Sequence, residues 1–205
     1  MVKAILICTA LAALSLTGCA GPSADVHTSH AEDAAAALQG ERTYTLARMP
    51  SQDASADHPR FEQLLRDELA KQGFTDAGGN SATSARYLLS IAYDTRLAAV
   101  GVDTKNCGAG RCASPPHAPF SLFGGPAYRH ELTLRFFARA SGQEVYKVSA
   151  VSADRDADPL HAMPALVKSA LAKLPFAMPA DWRVKLRTDA SSGATDVISV
   201  KPLQP

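Results

Sequence analysis

The chain has 205 residues, of which 46% are hydrophobic, and its 21 Lys and Arg residues nearly balance its 20 Asp and Glu residues. This length is enough for one domain with a substantial hydrophobic core. The balanced charge, without a block of like charge, argues against electrostatic binding to nucleic acid or to an anionic membrane surface.

Residues 1–18 have the pattern of a signal peptide. Lys3 gives a positive start, and residues 4–16 form an uncharged apolar run that is too short to span a bilayer. The run leads into Leu16, Thr17, Gly18 and Cys19. This ending resembles the lipobox of bacterial lipoproteins, which are cut before the Cys and acylated on its thiol with fatty acids such as palmitate. The resemblance implies a lipid anchor at Cys19 that holds the protein on a membrane.

Residues 19–41 are small and polar and lack a strong apolar periodicity. We therefore predict that the lipidated Cys is followed by a flexible tether, with ends about 25 Å apart on average, and we interpret His27 and His30 as solvated. In such lipoproteins an Asp after the acylated Cys tends to retain the protein in the inner membrane. Ala20 stands at this position, so the resemblance favours the outer membrane of a Gram-negative bacterium, with the protein facing the periplasm.

The folded domain is predicted to begin at residue 42. Residues 43–48 have the composition of a short strand. A helix follows, with Asp57 as its N-cap and Gly73 as the left-handed residue past its end. We expect Phe61 on the buried face of this helix and Glu62 on its solvated face.

A strand is predicted over residues 87–94, after which the pattern dissolves from residue 98 to residue 128. Cys107 and Cys112 form an even pair in an oxidising compartment, so we predict a disulfide that stiffens this loop. A zinc site is the alternative, but a second ligand pair at zinc spacing is missing. The loop contains the apolar residues Phe120, Leu122, Phe123 and Tyr128. We predict that they contact a partner or the membrane; alternatively, they fold back and cap the domain.

The rest of the chain predicts two hairpins and one helix. Residues 132–151 alternate around a turn at Gly142, which indicates a hairpin. A second amphipathic helix is expected to start at Pro164 and to stop at Pro175. Residues 176–205 are expected to form a C-terminal hairpin extension.

The predicted element order is β-α-β-β-β-α plus the C-terminal hairpin. Each strand has one apolar face, and neither helix can bury its apolar stripe alone. These requirements are met by an α+β fold, a two-layer sandwich of a mainly antiparallel sheet with two helices on one face.

Several segments together are similar to one family. They are the lipobox, the first strand, the helix with its ending over residues 61–74, the strand over residues 85–91 and the hairpin over residues 132–150. They look like the bacterial lipoproteins that carry a DUF4136 domain, an uncharacterised family. The resemblance covers about residues 42–175; it implies a place in the cell envelope and an α/β domain, and it transfers no catalytic residues.

The sequence predicts no enzyme. His58, His117, His130 and His161 share no ligand or catalytic spacing, and the motifs of serine hydrolases, zinc proteases and phosphate loops are missing. We therefore expect no catalytic residues, no metal and no cofactor. An enzyme would need at least two of these histidines to meet an Asp or Glu in one cleft.

We expect a lipid-anchored envelope lipoprotein that acts as a non-enzymatic interaction or structural component of the outer membrane. Its partners would be the membrane, through the N-terminal lipid, and an envelope protein or glycan, but no nucleic acid. The alternative is a carrier of a small apolar ligand. That function predicts a cavity beneath the stripes formed by Phe61, Leu65, Leu166 and Leu171.

Overall fold

The computed structural model describes residues 21–29, 31–48, 52, 55–78, 84–98, 126–178, 180–189 and 191–203. Within these ranges the chain forms eight β-strands and three α-helices. The strands are β1 (Ser23–Ser29), β2 (Thr43–Ala47), β3 (Thr75–Asp76), β4 (Tyr87–Leu97), β5 (Tyr128–Ala138), β6 (Glu144–Asp154), β7 (Asp181–Thr188) and β8 (Thr195–Pro202). The helices are α1 (Ala31–Ala37), α2 (His58–Lys71) and α3 (Pro159–Ala170). In this part of the chain, no helix has the length and hydropathy that a membrane span requires.

All the strands belong to one sheet, in the order β3-β2-β4-β5-β6-β1-β7-β8. β2 runs parallel to β3 and β4, whereas the other neighbouring strands are antiparallel. β7 and β8 form the hairpin predicted for the C-terminus, and their turn contains Gly193 at φ 68°. This hairpin continues the sheet rather than standing apart from it, because β7 pairs with β1.

The three described helices pack on one face of the sheet. Leu134 of β5 and Val148 of β6 are fully buried on this covered face and share one core cluster with Leu65 of α2 and Leu166 of α3. Leu38, directly after α1, belongs to the same cluster. The predicted α+β two-layer sandwich is therefore confirmed, with a third helix added to the helix layer.

The predicted flexible tether over residues 19–41 is wrong for the described part of that range. β1 lies in the middle of the sheet, between β6 and β7, and buries Ala24 and Val26. The domain therefore includes residues from Gly21 onward and does not begin at residue 42. The sequence signal was weak because the side chains that β1 turns towards the helices are few and short.

α2 follows the prediction closely. The positive φ of Gly73, 77°, ends the helix, and the Phe74 N–H donates to the Leu69 carbonyl at 3.0 Å. This backbone bond folds the chain back so that Phe74 packs into the core. Asp57 precedes the helix, but its side chain makes no capping hydrogen bond.

The predicted start of the second amphipathic helix at Pro164 is wrong, because α3 already begins at Pro159. The Asp158 carboxylate accepts a hydrogen bond from the Leu160 N–H at 2.9 Å, which caps the helix. Pro159 occupies the first turn, where the N–H that proline lacks would have no helical partner. Pro164 therefore lies inside the helix rather than at its start.

Candidate functional site

Most residues of the predicted sites lie outside the described residues. They are Leu16, Thr17, Gly18, Cys19, Cys107, Cys112, Phe120, Leu122 and Phe123. Lipidation, the disulfide and the interaction loop therefore stay predictions. Tyr128 is described: it begins β5, is half-buried and lies opposite Leu97 and Asp154 in the neighbouring strands.

One end of the sheet holds Gly21 together with Ala98 and Ala127, which lie on either side of positions 99–125. β1, β5 and β8 begin at this end, and β4, β6 and β7 finish there, because these neighbours are antiparallel. The Ala98 N–H donates to the Ala127 carbonyl at 2.8 Å, so the described residues on either side of positions 99–125 meet at this end. Gly21 also lies at this end, which we call the N-terminal end of the sheet.

Gly21 and Pro22 are fixed against β7. The Leu186 N–H donates to the Pro22 carbonyl at 2.8 Å. A Cβ on Gly21 would lie 2.1 Å from the Leu186 carbonyl oxygen, a distance that no side chain can tolerate against backbone. Only glycine allows the chain to approach β7 this closely, so the backbone is fixed against the sheet at a position two residues after Cys19.

Histidines and acids meet at the N-terminal end, beside the start of α3. His130 of β5 is 1% exposed on the covered face. Its Nε2 lies 2.9 Å from the Asp156 carbonyl oxygen and 3.1 Å from Asp154 Oδ1, and its Nδ1 lies 3.0 Å from Thr95 Oγ1. Both ring nitrogens therefore have partners, which makes His130 a structural group that ties β4 and β5 to the loop after β6.

His161 adds a surface pair to this cluster. Its Nδ1 hydrogen-bonds the Asp156 carboxylate, which raises the pKa of His161. The Asp158 N–H and His161 together lower the pKa of Asp156. An adjoining cleft of about 480 Å³ is lined by residues that include His161, Asp154 and Ser152. The buried His130 does not line this cleft.

The described residues that line this cleft include the hydroxyl-bearing Ser23, Ser152, Thr188 and Thr195. No described hydroxyl group hydrogen-bonds to His161, so a nucleophile–base pair is not formed there. Among the described residues, no three His, Cys, Asp or Glu side chains are placed to hold a metal ion.

Glu62 forms a buried ionic cluster that the sequence analysis missed. We expected a solvated side chain, but its side chain is 1% exposed. Arg48 donates to both carboxylate oxygens, at 2.7 and 2.6 Å, and Arg66 donates to Oε2 at 3.0 Å. His58 Nε2 lies 3.2 Å from Oε1. The Arg48 hydrogen bonds, helped by both guanidinium charges, lower the pKa of Glu62.

This ionic cluster joins helix α2 to the strands β2 and β3 of the sheet. Arg48 directly follows β2, and Arg66 also bonds Asp76 of β3 at 2.7 Å. A pairing signal existed in the sequence: Glu62 and Arg66 are four residues apart on one helix, and Arg48 directly follows a strand. The arrangement leaves no free oxygen on Glu62 for a substrate, so the geometry indicates a structural role.

The face of the sheet opposite the helices is largely polar, and we call it the open face. Asp25 and Arg183 form a bidentate ion pair there, at 2.8 and 3.0 Å. His27 Nδ1 lies 2.8 Å from Asp181 Oδ1. The exposed residues Ala92 and Lys185 lie on this face as well. The prediction that His27 is merely a solvated tether residue is therefore corrected: it belongs to an ordered strand.

A carrier of a small apolar ligand would need a cavity beneath four apolar residues that lie in, or directly after, the helices α2 and α3. These four residues are part of the packed core. Phe61, Leu65, Leu166 and Leu171 are each at most 2% exposed and belong to one cluster with the sheet. A surface groove of about 490 Å³ between α2 and α3 is lined by other residues, among them Gln63, Leu160 and Pro164.

With this architecture established, the class of the molecule is an α+β sandwich whose helices cover one sheet face. The chain belongs to the family of the domain of unknown function DUF4136, whose family model matches residues 27–176. The match begins inside β1, which agrees with a domain that starts before residue 42. No curated protein matches the chain.

Some solved structures resemble this chain at low sequence identity. A PDZ domain protein from Parabacteroides distasonis is 13% identical with a TM-score of 0.49; the alignment covers 88% of this chain but only 43% of that protein. The PelC dodecamer from Paraburkholderia phytofirmans was solved in two crystal forms. One form, of a variant with a Leu-to-Met substitution, is 16% identical over 74% of this chain and 97% of that one, with a TM-score of 0.42. The other form is 14% identical over 74% and 96%, also at 0.42.

Proposed function

We propose that this protein is a lipid-anchored, periplasm-facing lipoprotein of the outer membrane, with a non-enzymatic interaction or structural role in the cell envelope. The lipobox ending at Cys19 supports the anchor. The observation that carries the interaction role is the open face, where a wide, ordered and polar surface has none of the described helices packed on it.

The size of the open face suits a protein or glycan partner. With neighbouring strands about 4.8 Å apart and residues rising about 3.3 Å along each strand, the sheet measures roughly 30 Å by 30 Å. A stable protein interface covers about 800 Å² on each partner, which such a face can supply. Its ion pairs and hydroxyl groups would give orientation and specificity rather than bulk affinity.

The chemistry of the described residues supports a non-enzymatic role. Glu62 has its oxygens engaged by Arg48, Arg66 and His58, and His130 has both ring nitrogens engaged. A catalytic acid or base needs a proton site that a substrate can reach. The exposed pair of His161 and Asp156 lacks a described hydroxyl partner at hydrogen-bond distance.

Site-specific photocrosslinking in intact cells tests the interaction role. A photoreactive amino acid is placed at Ala92 or Lys185 on the open face, at Phe120 in the predicted interaction loop, and at Gln63 on the outer surface of α2 as the matched control. We expect one discrete crosslinked species from an open-face position or from Phe120, and none from Gln63. Equal crosslinking from all four positions, or none from any, would contradict the interaction role.

A further inference from the structure

We infer that the N-terminal end of the sheet faces the phospholipid leaflet and touches its headgroups, while the opposite end points away from it. This inference rests on the proposed acylation of Cys19 and adds the orientation of the domain, which the lipid anchor alone does not give. Its basis is the length of chain between the anchor and the first fixed residue.

That length is very short. Gly21 lies tight against the Leu186 backbone of β7, and Pro22 is hydrogen-bonded to it. Two residue steps separate Cys19 from Gly21, and a fully extended chain spans at most about 7 Å over two steps. A thiol acylated at Cys19 would therefore hold the backbone of β7 within roughly 10 Å of the lipid headgroups. A tether of the length predicted from the sequence would have imposed no such limit.

The direction of the strands then sets which end lies near the lipid. β1 runs from Ser23 away from the anchor, and its neighbours β6 and β7 are antiparallel to it. The turn between β5 and β6, which contains Ser141, lies at the opposite end of the sheet. β5 has 11 residues, and a strand of this length spans roughly 35 Å. With the strands upright on the leaflet, the Ser141 turn stands roughly 35 Å from the headgroups that the N-terminal end touches.

The surface of the N-terminal end is compatible with contact to a neutral leaflet. Leu97, at the end of β4, is 46% exposed. Exposed charges of both signs lie at this end of the sheet: Arg96, Arg155, Arg187, Asp154, Asp156, Asp189 and Asp196. Because basic residues are not in excess here, attraction to anionic lipid is not what would hold this end in place. The contact would depend on the acyl anchor and on the short connection to Gly21.

Fluorescence quenching on vesicles tests the orientation. The full chain is produced in bacteria, its acylation is measured by intact mass spectrometry, and it is reconstituted into phosphatidylcholine vesicles that contain a headgroup spin-labelled lipid. A genetically encoded fluorescent amino acid replaces Ala157 beside α3 or, as the matched control, Ser141; both positions are exposed. We expect at least twofold quenching at position 157 and almost none at position 141.

A linker variant isolates the cause. Twelve Gly and Ser residues inserted between Ala20 and Gly21 would extend over about 19 Å on average, so quenching at position 157 should fall to the level of position 141. Adding phosphatidylglycerol should change neither result.

Each contrary outcome has its own meaning. Acylated protein that is quenched equally at both positions, or that is still quenched at position 157 with the linker, overturns the orientation but leaves the lipoprotein function standing. Mature protein without an acyl group overturns the proposed function, and the orientation with it.

Discussion

The two faces of the sheet are built from alternate residues of the same strands, yet different interactions stabilise them. On the covered face, Leu134 and Phe136 of β5 are fully buried in the core cluster. On the open face, Arg135 between them is exposed and bonds Glu144 of β6. The comparison shows what stabilises each face: burial of apolar area stabilises the covered face, whereas ion pairs and hydrogen bonds join the polar side chains of the open face.

The largest expected effect is on the covered face. Leu134→Ala should lower the free energy of unfolding by about 3 kcal/mol, because it removes buried methyl groups and leaves a cavity. Arg135→Ala, the matched control one residue along, should lower it by about 0.5 kcal/mol. Urea unfolding followed by circular dichroism measures both. Similar losses for the two variants would break the distinction between the faces.

The next largest effect concerns the buried carboxylate of Glu62 on α2. Glu62→Gln should cost about 2 kcal/mol, because charge-assisted hydrogen bonds from Arg48 and Arg66 are lost. Both arginines are partly exposed and can regain water, which limits the loss. Glu68→Gln, on the same helix and paired with Lys71 at the surface, should cost about 0.5 kcal/mol at most.

The Glu62 effect should depend on pH in a defined direction. Folding lowers the pKa of Glu62 below its ordinary value of 4.5, so the unfolded chain binds more protons between the two values. The stabilisation is therefore complete above pH 4.5 and is lost as the pH falls through the folded pKa. Urea unfolding at pH 7, 5 and 3.5 should show a wild-type advantage over Glu62→Gln that is constant at the first two values and smaller at the third. An advantage that grows in acid would contradict this assignment.

A smaller effect is expected where the N-terminus joins the sheet. Gly21→Ala places a Cβ against the Leu186 carbonyl oxygen, so the chain must move and the Pro22 hydrogen bond must weaken. We expect a loss of about 1 kcal/mol and faster hydrogen exchange at the Leu186 amide, measured by mass spectrometry or NMR. Ser23→Ala, at an exposed position two residues along, should leave that amide protected. Unchanged protection in Gly21→Ala would show that the close approach is not needed.

The smallest effect is expected on the open face. Arg183→Ala removes the bidentate pair with Asp25 but should cost only about 0.5 kcal/mol, because Arg183 is half exposed. A double-mutant cycle with Asp25→Ala gives the coupling energy, which should shrink in 1 M salt. A large coupling energy that does not change with salt would show that the pair is shielded from solvent. That result would contradict the description of the open face as exposed at this pair.

The sequence predicted the parts of the fold in which periodic apolar residues meet a specific turn residue. α2 could be placed because Phe61, Leu65 and Leu69 repeat at helical spacing and Gly73 ends the helix. The hairpin of β5 and β6 could be placed from its alternation and from Gly142, which has a positive φ of 70°. In both cases the local signal and the tertiary packing agree.

The errors arose where packing outweighs local pattern. β1 was missed because its buried side chains, Ala24 and Val26 among them, are too few and small to show an alternation. Glu62 was assigned to solvent because only the folded structure brings Arg48 to it. The start of α3 was placed too late because proline is common in the first turn of a helix, and Pro164 was assigned to that position instead of Pro159. The candidate functional residues were the least predictable, since an open sheet face exists only once the strands are aligned.

Acylation of Cys19 is the central claim, and metabolic labelling tests it most directly. Cells that produce the wild-type chain or Cys19→Ser are grown with an alkyne-tagged palmitate, and the purified proteins are coupled to a fluorescent azide. The account predicts a strong signal on the wild-type polypeptide and none on Cys19→Ser. An unlabelled wild-type protein, or equal labelling of both, would contradict it.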